Sequence, residues 1–412
     1  MVAEEICIVI PGYAASTPRA VKEADALHAA GYRVRLVSSR GNLKSVGDHD
    51  RVLLDSKPWE KSTVLWSPFN GQGEYLTYAY SKARFHVARA LPLRRAFWAS
   101  CAEGRVYPEL AATAKKRRSA LYIGHYPAGL AAAASAAAAW GAKLGYDLED
   151  LYVAEHSQDL SKTARIQLIE RSYLSRCSSV TAVSQAIAAE VSRLYHVPLP
   201  VTIHNVFPWA DRNGLDGRIL DRRGSKLSLY WYSQVIGLDR GIQDAIGAAG
   251  LLKGRVQIHL RGELSLEVER SLRGLARRHG IEEDLYFHPP VSPAELLSRA
   301  AEHDIGLALE TTGNRSRELT VSNKLFFYLL AGLMVAVSAV EGQGSVFKDF
   351  QGAGFPYPPG DSGALAAQLN LVAGDPERLR RCKDAALLAA RERWNWETES
   401  LRLIEHVRRV LA

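Results

Sequence analysis

The sequence predicts an α/β protein of two domains, each a parallel sheet wrapped by helices. Short apolar runs of strand length alternate with helical stretches over most of the chain, which implies parallel strands joined by right-handed crossovers. At 412 residues the chain is too long for one ordinary core and suggests two domains of about 200 residues. Between the two series lies Phe207–Lys226, FPWADRNGLDGRILDRRGSK, polar and with three glycines, which reads as a linker. The expected division is a first domain over 1–206, a linker over 207–226 and a second domain over 227–390. A C-terminal helix over 391–412 follows, for which packing back on the first domain is one option.

In the first domain, Ile6–Ile10 is an apolar strand followed by PGYAASTPRA. This loop of Gly and small polar residues holds Ser16 and Thr17 and leads into a helix with Pro18 suited to its first turn. It is not the G-x-G-x-x-G dinucleotide fingerprint, so its contacts are expected to be with substrate. A second strand lies near Val34–Val37. Residues 41–118 carry no clear period; WSPFNGQGEYLTYAY within them suits a binding loop, a partner surface or a capped surface excursion. Leu121–Gly124 is a strand that delivers His125 at its carboxyl end, and the Ala-rich helix after it can lie close against the sheet. Lys143–Tyr146 leads into an acidic cluster holding Asp147 and Glu149. Strands at Ser179–Val183 and Val201–His204 complete this half. Ligands of open α/β sheets bind beyond the carboxyl ends of strands, where His125, Asp147 and Glu149 sit.

The second domain opens on a strand at Leu227–Tyr232 and repeats the alternation through Val256–Leu260 and Leu285–Phe287 to Ile305–Leu309. A polar loop then leads to Ser322 or Asn323, either able to cap a helix with Lys324 in its first turn. That helix ends at Ala331-Gly332, and Met334–Ser338 is the next strand. A lysine normally opposes a helix N-terminus, so Lys324 suggests a shared anionic ligand; an ordinary strand–helix turn with a solvated lysine fits the same residues. Arg240, Arg261, His288, Arg315, Arg317 and Lys324 all fall near predicted loop ends, and positive groups converging there suit a diphosphate. Two tandem domains also make a cleft, a favoured place for a ligand.

Composition bounds the partners. With 47% hydrophobic and 23% charged residues the chain has the make-up of a soluble globular protein. It holds no uninterrupted apolar run of about 18 residues, so no membrane-crossing helix is expected. MVAEEICIVIPG lacks the basic leader of a signal peptide. Cys7, Cys101, Cys177 and Cys382 show no metal-ligand or redox spacing, and the reducing cytoplasm is the expected setting. The net charge of +8 admits phosphorylated ligands, acidic lipid or nucleic acid. From Lys82 to Arg118 ten Lys and Arg stand against two Glu, with Phe85, Leu91, Leu93, Phe97 and Trp98 interleaved. A basic amphipathic helix on the inner face of an anionic membrane fits this stretch, as does a solvated face. No nucleic-acid module is recognisable, so nucleic acid is not expected as a partner.

The motifs SQVIGLDRGIQDAI, HPPVSPAEL, DIGLALE and SNKLFFYLLAGLMV resemble the donor domain of bacterial family-4-like (group 1) glycosyltransferases of the GT-B fold. YIGHYPAG and LGYDLEDLYVAEH resemble the acceptor domain of the same proteins, and only residues 41–118 are poorly covered. The resemblance implies two Rossmann-like domains with parallel sheets facing each other across a cleft. It implies sugar transfer from a nucleotide-diphosphate sugar to a glycan, lipid-linked or small-molecule acceptor, in surface polysaccharide or glycoconjugate biosynthesis. Retention at the anomeric carbon, no bound metal and no cofactor besides the donor sugar nucleotide belong to the same implication. The family's diphosphate-binding Lys falls on Arg240 and its Arg on Gln234, with Arg261, His288, Asn323 and Lys324 as further donor contacts. His125 matches the family's His beside the transferred sugar, and Glu318 lies within one residue of the first of two family Glu. The second Glu falls on Phe327. Ser16, Thr17, Asp147 and Glu149 stand on the acceptor side. A nucleotide-sugar epimerase on the same scaffold, and a non-catalytic sugar-nucleotide-binding assembly partner, are the alternatives.

Overall fold

The computed structural model describes residues 4–92, 94–156, 158–218 and 226–412, with the backbone alone for Lys44 and Ser45. Leu93 of the basic stretch and residues 219–225 of the expected linker lie outside the described residues. The chain forms two compact units, Met1–Ile203 with Ser400–Ala412, and His204–Glu399.

The first unit is built on seven parallel strands: β1 (Glu5–Val9), β2 (Arg33–Arg40), β3 (Glu60–Leu65), β4 (Leu121–His125), β5 (Lys143–Leu148), β6 (Ser179–Ala182) and β7 (Val201–Thr202). Their order is β3-β2-β1-β4-β5-β6-β7. Every residue of β1 and β4 is buried, which is why both read as continuous apolar runs: helices cover the two faces of a parallel sheet. The edge strand β3, EKSTVL, buries only Val64 and has neither alternation nor an apolar run, so the sequence hides it. Residues 41–118 also supply the helices Lys44–Asp55, Gln72–Ala90, Ala96–Glu103 and Tyr107–Lys115.

The helix Tyr126–Trp140 lies against the sheet as its alanines suggest, with ten of its residues buried. Two glycines permit the approach. A Cβ on Gly124 would stand 2.4 Å from the Leu130 backbone nitrogen, and one on Gly129 would stand 2.7 Å from the Val9 carbonyl oxygen. Gly124→Ala is therefore expected to lose about 1–3 kcal/mol through overpacking, seen as a lower urea midpoint without a change in slope. The C-terminal segment belongs to this unit: His406 Nε2 lies 2.9 Å from Ser179 Oγ, and Lys143 donates to the Val410 carbonyl.

The second unit has six parallel strands: β8 (Leu227–Val235), β9 (Val256–Glu263), β10 (Leu285–His288), β11 (Ile305–Ala308), β12 (Met334–Ser338) and β13 (Gly354–Tyr357). Their order is β10-β9-β8-β11-β12-β13. The helix Asn323–Ala331 joins β11 to β12, is buried from Leu325 to Ala331, and stops at Gly332, whose φ of 75° is left-handed. In both sheets the strand order reverses once, between β1 and β4 and between β8 and β11. The crevice beyond the carboxyl ends of those pairs is where open α/β sheets take ligands.

Candidate functional site

At the reversal in the second sheet, β8 ends in a loop carrying Asp239 and Arg240, and β11 runs straight into Glu310. Glu310 is buried; its N–H donates to Ser338 Oγ at 2.8 Å, which fixes the turn. Its Oε2 faces Arg240 Nη1 at 3.5 Å. Arg317 ties the two loops together by donating to the Asp239 carbonyl at 2.9 Å and to its carboxylate. Lys324 opens the helix Asn323–Ala331 with its Nζ 5.5 Å from the Trp231 ring centre and 5.8 Å from that of Tyr232. Burial lowers the Lys324 pKa to about 8; Arg240 and Arg317 push the same way, and Glu310 opposes them. Ser322 stands at the N-cap without a side-chain cap bond, so the helix presents its first N–H groups beside Lys324. A half-exposed arginine, a lysine held below its ordinary pKa and a helix N-terminus thus surround one buried carboxylate. That arrangement favours an added anion.

Arg261 and His288 form a second group, at the ends of β9 and β10. Arg261 is buried and donates to the Pro289 carbonyl at 2.8 Å. His288 Nε2 lies 2.9 Å from His259 Nδ1, and burial together with the nearby Arg261 lowers its pKa to about 4. His288 is therefore neutral at ordinary pH and suited to hydrogen bonding rather than to carrying charge.

In the first unit, β4 delivers His125 fully buried. Its Nε2 is 2.8 Å from Glu23 Oε2, and its Nδ1 lies 3.2 Å from Glu149 Oε1 and 3.4 Å from Asp147 Oδ2. Only an imidazolium offers a proton to carboxylates at both ring nitrogens. Burial alone would lower the His125 pKa; Glu149, Glu23 and Asp147 outweigh it and raise it to about 10. Arg19 grips Asp147 in a fork, Nε to Oδ2 at 2.6 Å and Nη2 to Oδ1 at 2.8 Å, and donates from Nη1 to the Ile203 carbonyl at 2.9 Å. Burial raises the Asp147 pKa, but Arg19 overrides it and brings it down to about 2. The spacing in sequence shows no metal set, yet the fold brings ligand atoms of His125, Asp147 and Glu149 within 4.8 Å of one another. A metal needs a neutral imidazole and a free carboxylate, whereas here Arg19 and a protonated His125 already supply the positive charge. The group is built as an ion-pair cluster.

The remaining expected residues are placed as follows. Ser16 is exposed in the loop after β1; Thr17 is buried and donates to the Tyr13 carbonyl at 3.1 Å. Gln234 is exposed at the end of β8, and Asn323 is exposed at the start of its helix. Glu318 lies in the short helix Arg315–Leu319 and turns back on the loop before it, accepting from the Gly313 N–H at 2.9 Å and facing Arg315 at 3.5 Å. Phe327 is buried, its ring 5.1 Å from Phe207 and 4.8 Å from Tyr232, so an aromatic cluster fills that position. Arg19, Glu23, Glu310 and the rings beneath Lys324 belong to these groups and were not among the expected site residues. A signal existed for Arg19 and Glu23, which lie four apart and so share one face of the helix Pro18–Ala29. Glu310 ends an otherwise apolar strand.

Residues 16–196 match the family model described as a glycosyl transferase 4-like domain. Comparison with curated protein sequences gives no match. Among solved structures, sucrose-phosphate synthase from Thermosynechococcus elongatus superposes with a TM-score of 0.72 at 15% identity, over 99% of each chain. Anabaena HepE in complex with UDP superposes at 0.68 and 15% identity, over 98% of this chain and 100% of that one. A UDP-N-acetylglucosamine 2-epimerase superposes at 0.60 and 12% identity, over 99% of this chain and 96% of that one. Likeness at these identities speaks for the fold.

Proposed function

From a chain whose residues 16–196 are a glycosyl transferase 4-like domain and whose two parallel sheets have the GT-B fold, we propose a glycosyltransferase using a nucleotide-diphosphate sugar. The observation that carries this reading is the grouping of Arg240, Lys324 and an uncapped helix N-terminus at the reversal of the second sheet. In the reaction the bond from the anomeric carbon to the diphosphate breaks, and a bond to an acceptor hydroxyl forms as that hydroxyl loses its proton. The diphosphate gains charge as it leaves, so cations and N–H groups already aimed at it stabilise the transition state more than the ground state. Arg240, Lys324 and Arg317 supply that charge from side chains, in keeping with transfer that needs no metal. Gln234, exposed at the end of β8, and Asn323, exposed at the start of the helix that carries Lys324, serve as polar contacts to the donor, with Arg261 and His288 toward the base.

The first unit takes the acceptor, with Ser16 and Glu149 at the rim of the β1–β4 reversal. His125, Asp147 and Thr17 are buried there and hold the rim in shape. Retention, a donor domain over 227–390 and a cytoplasmic setting in surface polysaccharide or glycoconjugate assembly complete the reading.

The complex of HepE with UDP makes uridine nucleotides the first to test. A thermal-shift series with nucleoside diphosphates and their sugars is expected to raise the melting temperature for one base. A ligand at one hundred times its Kd stabilises the fold by about 2.7 kcal/mol. No response to any nucleotide would reject the reading; a response without transfer to any acceptor would move the protein to the non-catalytic sugar-nucleotide-binding role, which Phe327 in place of a carboxylate favours. Appearance of an epimeric sugar nucleotide without any acceptor would move the protein to the epimerase side, where its fold also has a neighbour.

A further inference from the structure

We propose that the helix Gln72–Ala90 of the first unit is a docking face for an anionic lipid surface. Leu76, Tyr80, Ala83 and Val87 recur at spacings of four, three and four, which lines them up along one side of the helix. That side points to solvent: Leu76 is 51% exposed, Tyr80 68% and Val87 50%. Only Ser81 and Ala88 of the helix are buried. The arrangement reverses that of an ordinary surface helix, whose apolar stripe faces the core. Exposed Leu91 continues the stripe past the helix end, and Phe69, 79% exposed, precedes it.

The charge beside the stripe selects the partner. Lys82, His86 and Arg89 are exposed and form a second row along one flank, and exposed Arg94 and Arg95 follow. No Asp or Glu occurs between Glu74 and Glu103. Lys82 and Arg89 lie over the rings of Tyr78 and Phe85, 5.9 and 5.3 Å from their centres, and stay exposed, whereas Arg84 and Arg105 are engaged within the unit. Arg84 donates to both carboxylate oxygens of Glu109, and the Arg105 guanidinium lies over Trp66 and Tyr78. These bonds anchor the helix and leave the outer row for headgroups. An outward apolar row with a basic flank and no acid suits insertion at the boundary of headgroups and acyl chains, with attraction to anionic lipid adding to apolar burial.

The helix starts at a cavity of about 560 Å³ beyond the carboxyl ends of β2 and β3, lined among others by Arg40, Asn42, Phe69, Asn70 and Glu74. A lipid-linked acceptor held in the surface would present its head group at that cavity. This last point rests on the transferase reading; the docking does not.

The test is flotation of the full chain with vesicles of phosphatidylcholine alone and of equal parts phosphatidylcholine and phosphatidylglycerol, without any sugar nucleotide. The chain is expected to float with the anionic vesicles, to stay behind with the neutral ones, and to be released by high salt. Leu76→Asp/Tyr80→Asp and Lys82→Glu/Arg89→Glu are each expected to cut bound protein at least about tenfold. Both pairs change exposed side chains, so melting temperature and the nucleotide-induced shift should stay as in the parent chain. Equal flotation of the parent and both variants, or no flotation with anionic vesicles, would overturn the proposal. So would self-association of the parent that these substitutions abolish without any lipid binding, which would assign the face to a second copy. A failed nucleotide response with intact flotation would remove the transferase reading alone.

Discussion

Lys324→Ala is expected to weaken binding of the donor nucleotide or turnover by at least tenfold, about 1.4 kcal/mol, while the protein stays folded. Lys324 loses solvation to sit over Trp231 and Tyr232, and its charge is repelled by Arg240 and Arg317. A bound diphosphate relieves that repulsion and restores the charge, which makes the interaction stronger than that of a solvated lysine. The pH dependence follows with a definite sign. The empty site holds Lys324 charged below about 8 and neutral above it. Nucleoside diphosphate affinity should therefore fall as pH rises through 8, and the fall should vanish in Lys324→Met. Calorimetric titration across that range gives the answer. Unchanged affinity in Lys324→Ala, or a pH slope in Lys324→Met equal to that of the parent protein, would separate Lys324 from the diphosphate. Arg240→Ala should behave similarly, except that its deletion also leaves Glu310 without its nearby guanidinium.

Arg19→Ala is expected to destabilise the first unit by about 3–5 kcal/mol, because it leaves His125 alone to balance the buried charge of Asp147 and two neighbouring carboxylates. Urea unfolding followed by a probe in that unit measures it. Should the variant fail to fold, Arg19→Lys keeps the charge and loses only the forked geometry, and a smaller loss is expected. The same cluster sets a pH window. The His125 pKa is raised from 6.5 to about 10, so its contribution is complete below 6.5 and disappears as pH climbs toward 10. The Asp147 pKa is lowered from 3.8 to about 2, so its contribution is complete above 3.8 and disappears as pH falls toward 2. His125→Gln should flatten the alkaline side of the stability profile and leave the acid side in place. A flat alkaline side in the parent protein would show that His125 is not held as an imidazolium.

Much of the fold is legible in order along the chain because a parallel sheet covered on both faces demands short, unbroken apolar runs. Every residue of β1, β4, β11 and β12 is buried, and each of these strands stands out in the sequence. The strand β3 does not, since an edge strand with one buried residue leaves no period to read. The helices between 41 and 118 are hidden for a related reason. Gln72–Ala90 carries its apolar row on the outside, and a row of that spacing reads in sequence like one that faces a core.

The sites divide along the same line. A lysine in the first turn of a helix after a polar loop, closed by Gly332, is written in local order, and so is the anion-binding character of that turn. Local order also tells that His125, Asp147 and Glu149 sit at strand ends. What it leaves open is which of them are free to act, because that depends on partners far along the chain. Arg19 reaches Asp147 across 128 positions and Glu23 reaches His125 across 102, and those contacts turn an exposed-looking acid cluster into a buried ion-pair network. By itself the sequence determined two α/β layers, the anionic preference of the Asn323–Ala331 turn and the basic character of the region before residue 118. Only the tertiary structure decided that His125 is sealed between carboxylates, that Glu310 is the acid beside Lys324, and that the row from Leu76 to Val87 faces outward. Charge pairing and exposure depend on distance in space, and neighbours in space are not neighbours in the chain.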